Sequence, residues 1–196
     1  MSRKSLLTIA AAFTIAIAPA DAAIVAFDLI GLGGAGLLGS NERPTAISPA
    51  GTGGEIGAGI TFDNVSNILT TNIGWGTGNG YADLTSAVTN AHIHGPVAGT
   101  TLTDFMTGTS GVPSGFGIFT NVPAVTSSTN GVISVTRTFT AEQAAQLMEG
   151  RFYINIHTAN NGGGEIRGNL VPVPEPSSTL LGGLALLLAV RRSRRS

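Results

Sequence analysis

Apolar and polar residues alternate through the middle of the chain. Ile133, Val135 and Phe139 fall on one parity and Ser134, Thr136 and Thr138 on the other, the period of two expected of a strand with one face toward a core. Phe152, Ile154 and Ile156 oppose Tyr153, Asn155 and His157 in the same way. Read along the chain, this pattern predicts strands over 23–30, 54–62, 66–75, 88–94, 116–120, 131–139, 152–157 and 165–170. Clusters of Gly, Asn, Ser, Thr and Pro separate them, which is turn chemistry. One segment breaks the alternation. Thr140 followed three residues later by Gln143 forms a capping box for a short helix through Ala144 to Met148, stopped at Gly150. The predicted architecture is all-β, an antiparallel β-sandwich with one short helix.

The pattern fails at both ends. Residues 1–22 carry Arg3 and Lys4, then an all-round apolar stretch, Pro19 and a small-x-small site at Ala20-Asp21-Ala22, the layout of a secretory signal peptide handled by Sec-type export machinery. Residues 172–196 open with Pro172-Val173-Pro174-Glu175-Pro176, a stiff extended linker. An apolar run over 180–190 follows, then Arg191, Arg192, Arg194 and Arg195. Eleven helical residues reach only about 16 Å against a hydrocarbon core of about 30 Å. The run is thus a short membrane segment, and its arginines hold the end in the cytoplasm. Between these ends, residues 23–171 form one domain.

Charge and cysteine usage sharpen the picture. Between residues 24 and 173 four arginines face nine carboxylates, a net of −5. Such a domain repels phosphate backbones, which argues against a nucleic-acid partner. The chain has no cysteine, so an exported domain of this kind relies on burial, helped or not by a metal ion, rather than on disulfides.

All three histidines lie in the sheet-forming region. His92 and His94, two apart on a strand, leave the same face. His157 ends another strand, and the Gly162-Gly163-Gly164 turn returns the chain to Glu165. A register that pairs His157 with Glu165 sets Asn155 opposite Arg167. His92, His94, His157 and Glu165 are therefore candidate ligands for copper or zinc. The alternative is a hydrogen-bonded histidine network that holds the adjoining turns. Gly31-Leu32-Gly33-Gly34-Ala35-Gly36 spells a dinucleotide motif, but no helix follows it, so a surface loop is expected. No Gly-x-Ser-x-Gly elbow or thiol supplies a nucleophile, and the sequence establishes no reaction. Trp75, with Tyr81 nearby, is a candidate sugar-stacking platform or a core anchor.

Two resemblances add to this reading. Val173-Pro174-Glu175-Pro176-Ser177, the hydrophobic run and the arginine cluster resemble the bacterial PEP-CTERM sorting signal. That resemblance implies an exosortase-type processing enzyme, removal of the tail and delivery to the cell surface or an exopolysaccharide matrix. Leu38-Gly39-Ser40-Asn41-Glu42-Arg43-Pro44, Ala91-His92-Ile93-His94-Gly95-Pro96, the Phe139–Gln143 and Gly150–Thr158 segments and Asn161–Gly168 resemble, in order, the motifs of the CHRD (chordin-like) domain. The family implies an extracellular β-rich domain and supplies no biochemical activity. The chain is therefore expected to serve as a structural or interaction module, with an exopolysaccharide or surface protein as partner. A metal-binding protein or enzyme and a carbohydrate-binding module are the rival readings. Surface protein from the native host is expected to lack residues 191–196; intact-mass detection of that tail would contradict processing.

Overall fold

The computed structural model describes residues 24–113, 116 and 128–173. The expected signal peptide, the sorting motif Pro174, Glu175 and Pro176, the apolar run, its four arginines and all of the expected 116–120 strand but Phe116 lie outside the described residues. Among the described residues no helix is long and apolar enough to cross a membrane.

The alternating segments form strands β1 (Ile24–Gly31), β2 (Gly34–Ala35), β3 (Leu37–Leu38), β4 (Thr52–Asp63), β5 (Ile68–Trp75), β6 (Val88–His94), β7 (Gly131–Thr138), β8 (Tyr153–Thr158) and β9 (Ile166–Pro172). Every pairing is antiparallel. One leaf runs β7-β5-β4 and the other β9-β8-β6. β1 stitches them together, pairing through Ile24 to Phe27 with β4 and through Phe27 to Ile30 with β9. β3 repeats the stitch on a smaller scale, with Leu37 and Leu38 against Gly53 and Thr52, and Leu38 also against Arg167.

The inward residues of both leaves make one buried cluster. Ile60, Phe62, Leu69, Ile73 and Ile133 come from the first leaf, and Ala91, Ile93, Ile154, Ile156, Ile166 and Leu170 from the second. Helix α2 (Ala141–Met148) has the expected capping box at Thr140 and Gln143. It drives Leu147 into the same cluster. β4 departs from a plain strand, because its register with β5 shifts between Glu55 and Ile60. Gly57 and Gly59 hold left-handed φ values of 57° and 68° there, a conformation that costs glycine little.

A second short helix, α1 (Leu102–Thr107), was absent from the sequence-based expectation. Its own capping box, Thr101 with Asp104, is visible in the chain. Six residues containing two threonines give little periodic signal, so the box alone marks it. The helix has a large effect. Phe105 packs with Val97 and Tyr153, and its carbonyl accepts from Arg167 Nη2 and Asn169 Nδ2, both at 3.0 Å. The outer face of β8 is therefore covered, and all six of its residues are buried, whereas the alternation suggested a face turned outward.

Phe152, fully buried, meets Phe139 edge-on at 5.4 Å and Phe116 at 6.3 Å. Phe152→Ala is expected to cost about 3–5 kcal/mol in urea unfolding. Val65→Ala, at a residue 66 % exposed, should stay within about 0.5 kcal/mol.

Candidate metal centre

β6 and β8 bring the three histidines together. In their ladder His92 lies opposite Asn155, His94 opposite Tyr153 and Asn90 opposite His157, so His157 stands diagonally across from His92 on the outer face. His92 Nδ1 is 3.1 Å from His157 Nε2. One ring nitrogen from each histidine falls within 4.8 Å of the others. Around a tetrahedral ion with 2.0–2.1 Å bonds the nitrogens would stand about 3.3 Å apart. The His92–His157 contact is already at that scale, and the third imidazole needs only a small closing movement.

Two backbone carbonyls set the direction of the lone pairs. His94 Nδ1 lies 2.9 Å from the Ser110 carbonyl, and His157 Nδ1 lies 3.0 Å from that of Gly162. A carbonyl only accepts, so Nδ1 carries the hydrogen in both rings and Nε2 is left with its lone pair. His94 Nε2 is buried and has no hydrogen-bond partner. A metal-ligating histidine characteristically gives its other N–H to a carbonyl in this way, which fixes tautomer and ring orientation. In the same geometry His92 Nδ1 donates to His157 Nε2, and binding an ion there requires only that the His92 proton move to its Nε2.

The imidazoles are held neutral. Burial, then the charges His157 and His94 would carry, pushes His92 down to about 4. Burial also lowers His94 and His157, outweighing the carbonyl bonds that favour their protonated forms. Neutral imidazole is the form that coordinates a metal.

Tyr153 completes this face. Its ring stacks on His94 at 4.9 Å and 6°, with the Arg167 guanidinium carbon 3.7 Å from its centroid. Its hydroxyl donates to Ser110 O at 3.1 Å and accepts from Ser110 N at 3.2 Å. The carbonyl that orients His94 is thus itself anchored.

Two expectations are corrected. Glu165 immediately precedes β9, which pairs with β8 in the register foreseen, with Asn155 opposite Arg167, but its carboxylate does not join the histidines. Oε1 accepts from the backbone N–H of Gly51 (2.9 Å) and Thr85 (2.8 Å), and Oε2 accepts from Thr85 Oγ1, Thr158 Oγ1 and Asn161 Nδ2. Burial raises its pKa, and these bonds outweigh it, so the carboxyl sits below its ordinary value. Glu165 is a staple, fully engaged elsewhere. Trp75 is 0 % exposed, and a Cβ on Gly131 would lie 2.6 Å from its ring. Its faces are sealed in the core and cannot stack on a sugar. Tyr81 is half-buried, its hydroxyl donating to Glu55 O.

Glu42 and Ser110 escaped sequence reasoning as site residues. Burial pushes the Glu42 carboxyl up to about 7, ahead of the opposing pull of Arg167 and of bonds from Arg43 and Asn155. Only the fold reveals this, because Glu42 lies in a loop with no periodic pattern.

A family model for the CHRD domain matches residues 34–170. The chain belongs to the CHRD-domain family. A second model, the PEP-CTERM protein-sorting motif, matches residues 172–195. No curated protein and no solved structure matches the chain. The histidine centre, at residues 92, 94 and 157, falls wholly within the CHRD match. The sorting motif makes this CHRD protein an exported substrate of exosortase-type processing, located at the cell surface or on the outer side of a membrane.

The histidine shifts fix a pH response for the metal-free CHRD domain. Protons bind the unfolded histidines near 6.5 and the folded His92 only near 4. The His92 contribution to stability is therefore complete above about 6.5 and is lost as pH falls toward 4, while Glu42, raised to about 7, contributes with the opposite sign over the same range. Urea midpoints of metal-free wild type and His92→Gln at pH 5 and pH 7 isolate the histidine: the wild type should lose more stability, relative to the variant, on going from pH 7 to pH 5.

Proposed function

We propose that this exported CHRD domain is a metal-binding module that holds one copper or zinc ion through His92 Nδ1, His94 Nε2 and His157 Nε2. The observation that carries the reading is the buried, unpartnered Nε2 of His94, whose tautomer is fixed by Ser110. A purely structural histidine network would give that nitrogen a donor. An unpaired buried acceptor costs about 1–3 kcal/mol, and a cation recovers it. Three neutral nitrogen donors without a carboxylate or thiolate suit zinc and copper better than calcium or magnesium.

The placement of this module follows from the termini. Residues 1–22 act as the signal peptide, 23–171 as the domain, and 172–196 as the sorting tail, with Pro174, Glu175 and Pro176 as its motif and the arginines as its cytoplasmic stop. Display outside the cell puts the site where metal is not buffered by cytoplasmic thiols. No reaction is assigned. A third-party donor, water or a surface molecule, fills the remaining coordination position.

Protein purified with one equivalent of zinc or copper is expected to melt higher than the metal-free form. At a hundredfold excess over Kd the gain is about 2.7 kcal/mol. His94→Ala should abolish both the metal and the gain. Metal analysis near zero, with a melting temperature unmoved by excess zinc or copper, would end the proposal.

A further inference from the structure

Beside the histidines lies a second set of unsatisfied groups. Glu42, Asn155 and Arg167 are 3 %, 4 % and 0 % exposed. Glu42 Oε1, Asn155 Oδ1, Arg167 Nε and Arg167 Nη1 are buried without a hydrogen-bond partner. The remaining atoms are anchored. Glu42 Oε2 accepts from Asn155 Nδ2 at 3.3 Å, and Arg167 Nη2 donates to Phe105 O and Asn169 Oδ1. Glu42 and Arg167 attract one another, yet their charged groups do not come within 4.0 Å of each other.

The chemistry of these groups identifies what would satisfy them. Together they leave two acceptor atoms and two donor atoms free. An anion would confront the two oxygens, and a cation would confront the guanidinium. Water both donates and accepts, and a buried water takes two to four such partners. The position of Glu42 gives the water a route. A cleft of about 340 Å³ is lined by Glu42 and Gly162 to Gly164, and the Gly162 carbonyl is the one that orients His157. At the other end Asn155 is the cross-strand neighbour of His92.

Building on the metal reading, we infer that internal water held by Glu42, Asn155 and Arg167 joins the cleft to the histidine centre, and that Glu42 accepts the proton of a water bound at the metal's open position. The balance is simple. The bound water loses a proton and becomes hydroxide, and Glu42 Oε1 gains it through the bridging water and becomes a neutral acid. The charged and titratable groups facing Glu42 are Arg167 from β9, Tyr153 from β8 and Arg43 from its own segment.

Cobalt(II) taken up by the full chain is a coloured probe of the site. Its visible spectrum, titrated from acid to alkaline pH, should change in two coupled steps for the wild type, because two interacting groups share the proton. Glu42→Gln should bind cobalt within about threefold of wild type and show one step. Asn155→Ser, which breaks the relay while keeping the carboxyl, should bring the two steps closer to independence and guards against misfolding of the first variant. Identical two-step titrations in all three proteins would overturn the relay and leave the metal reading standing. No cobalt uptake by the wild type would remove both.

Discussion

The structure depends on the burial of both faces of one strand. β8 sends Ile154 and Ile156 into the apolar core and Tyr153, Asn155 and His157 to a face that is equally closed. Strands of a sandwich ordinarily give one face to water. Here α1 and the segment around Glu42 cover that second face, so the polar atoms on it are cut off from bulk water and either find a partner inside the protein or stay unpaired. The capping of α1, the Phe105 carbonyl shared by Arg167 and Asn169, and the stacking of Arg167 on Tyr153 on Tyr153's way to His94 are consequences of that closure.

Burial also decides the chemistry of the histidines. Exposed imidazoles would be partly protonated near neutral pH. Withdrawn from water and set against one another, these three stay neutral, and carbonyls that can only accept aim the lone pairs of His94 and His157. Glu165 shows the same rule with the opposite result. Five donors meet it, so its charge is kept, and it ties the Gly51 and Thr85 loops to the end of β8. Glu42 has fewer partners and is pushed toward neutrality instead. Two buried glutamates thus differ in character because burial dominates at Glu42, whereas the N–H and O–H groups around Glu165 outweigh it.

With no cysteine, no disulfide contributes to stability, and packing carries the metal-free fold. The apolar cluster spans both leaves, and β1 and β3 close the sandwich by pairing with each leaf in turn. Export of such a domain requires no oxidative folding step.

Much of this was written in the chain. The period-two alternation of Ile133 to Phe139 and of Phe152 to His157 placed strands within one or two residues of their observed ends, and the Thr140–Gln143 box placed α2, because these signals are local and each residue's face follows from backbone geometry alone. The His-x-His spacing likewise put two imidazoles on one side, and the Gly162 to Gly164 turn fixed Asn155 opposite Arg167. What alternation cannot say is what lies above a face. It left Tyr153 and Asn155 pointing outward, brought Glu165 toward the histidines, and allowed Trp75 to be a platform. Each outcome turned on contacts between residues far apart in sequence: α1 over β8, Gly51 and Thr85 around Glu165, and Gly131 against Trp75. The sequence determined the strands and the side on which the histidines stand. Only the tertiary structure decided which groups are closed off from water, and hence which are neutral, which are charged and which remain unpaired.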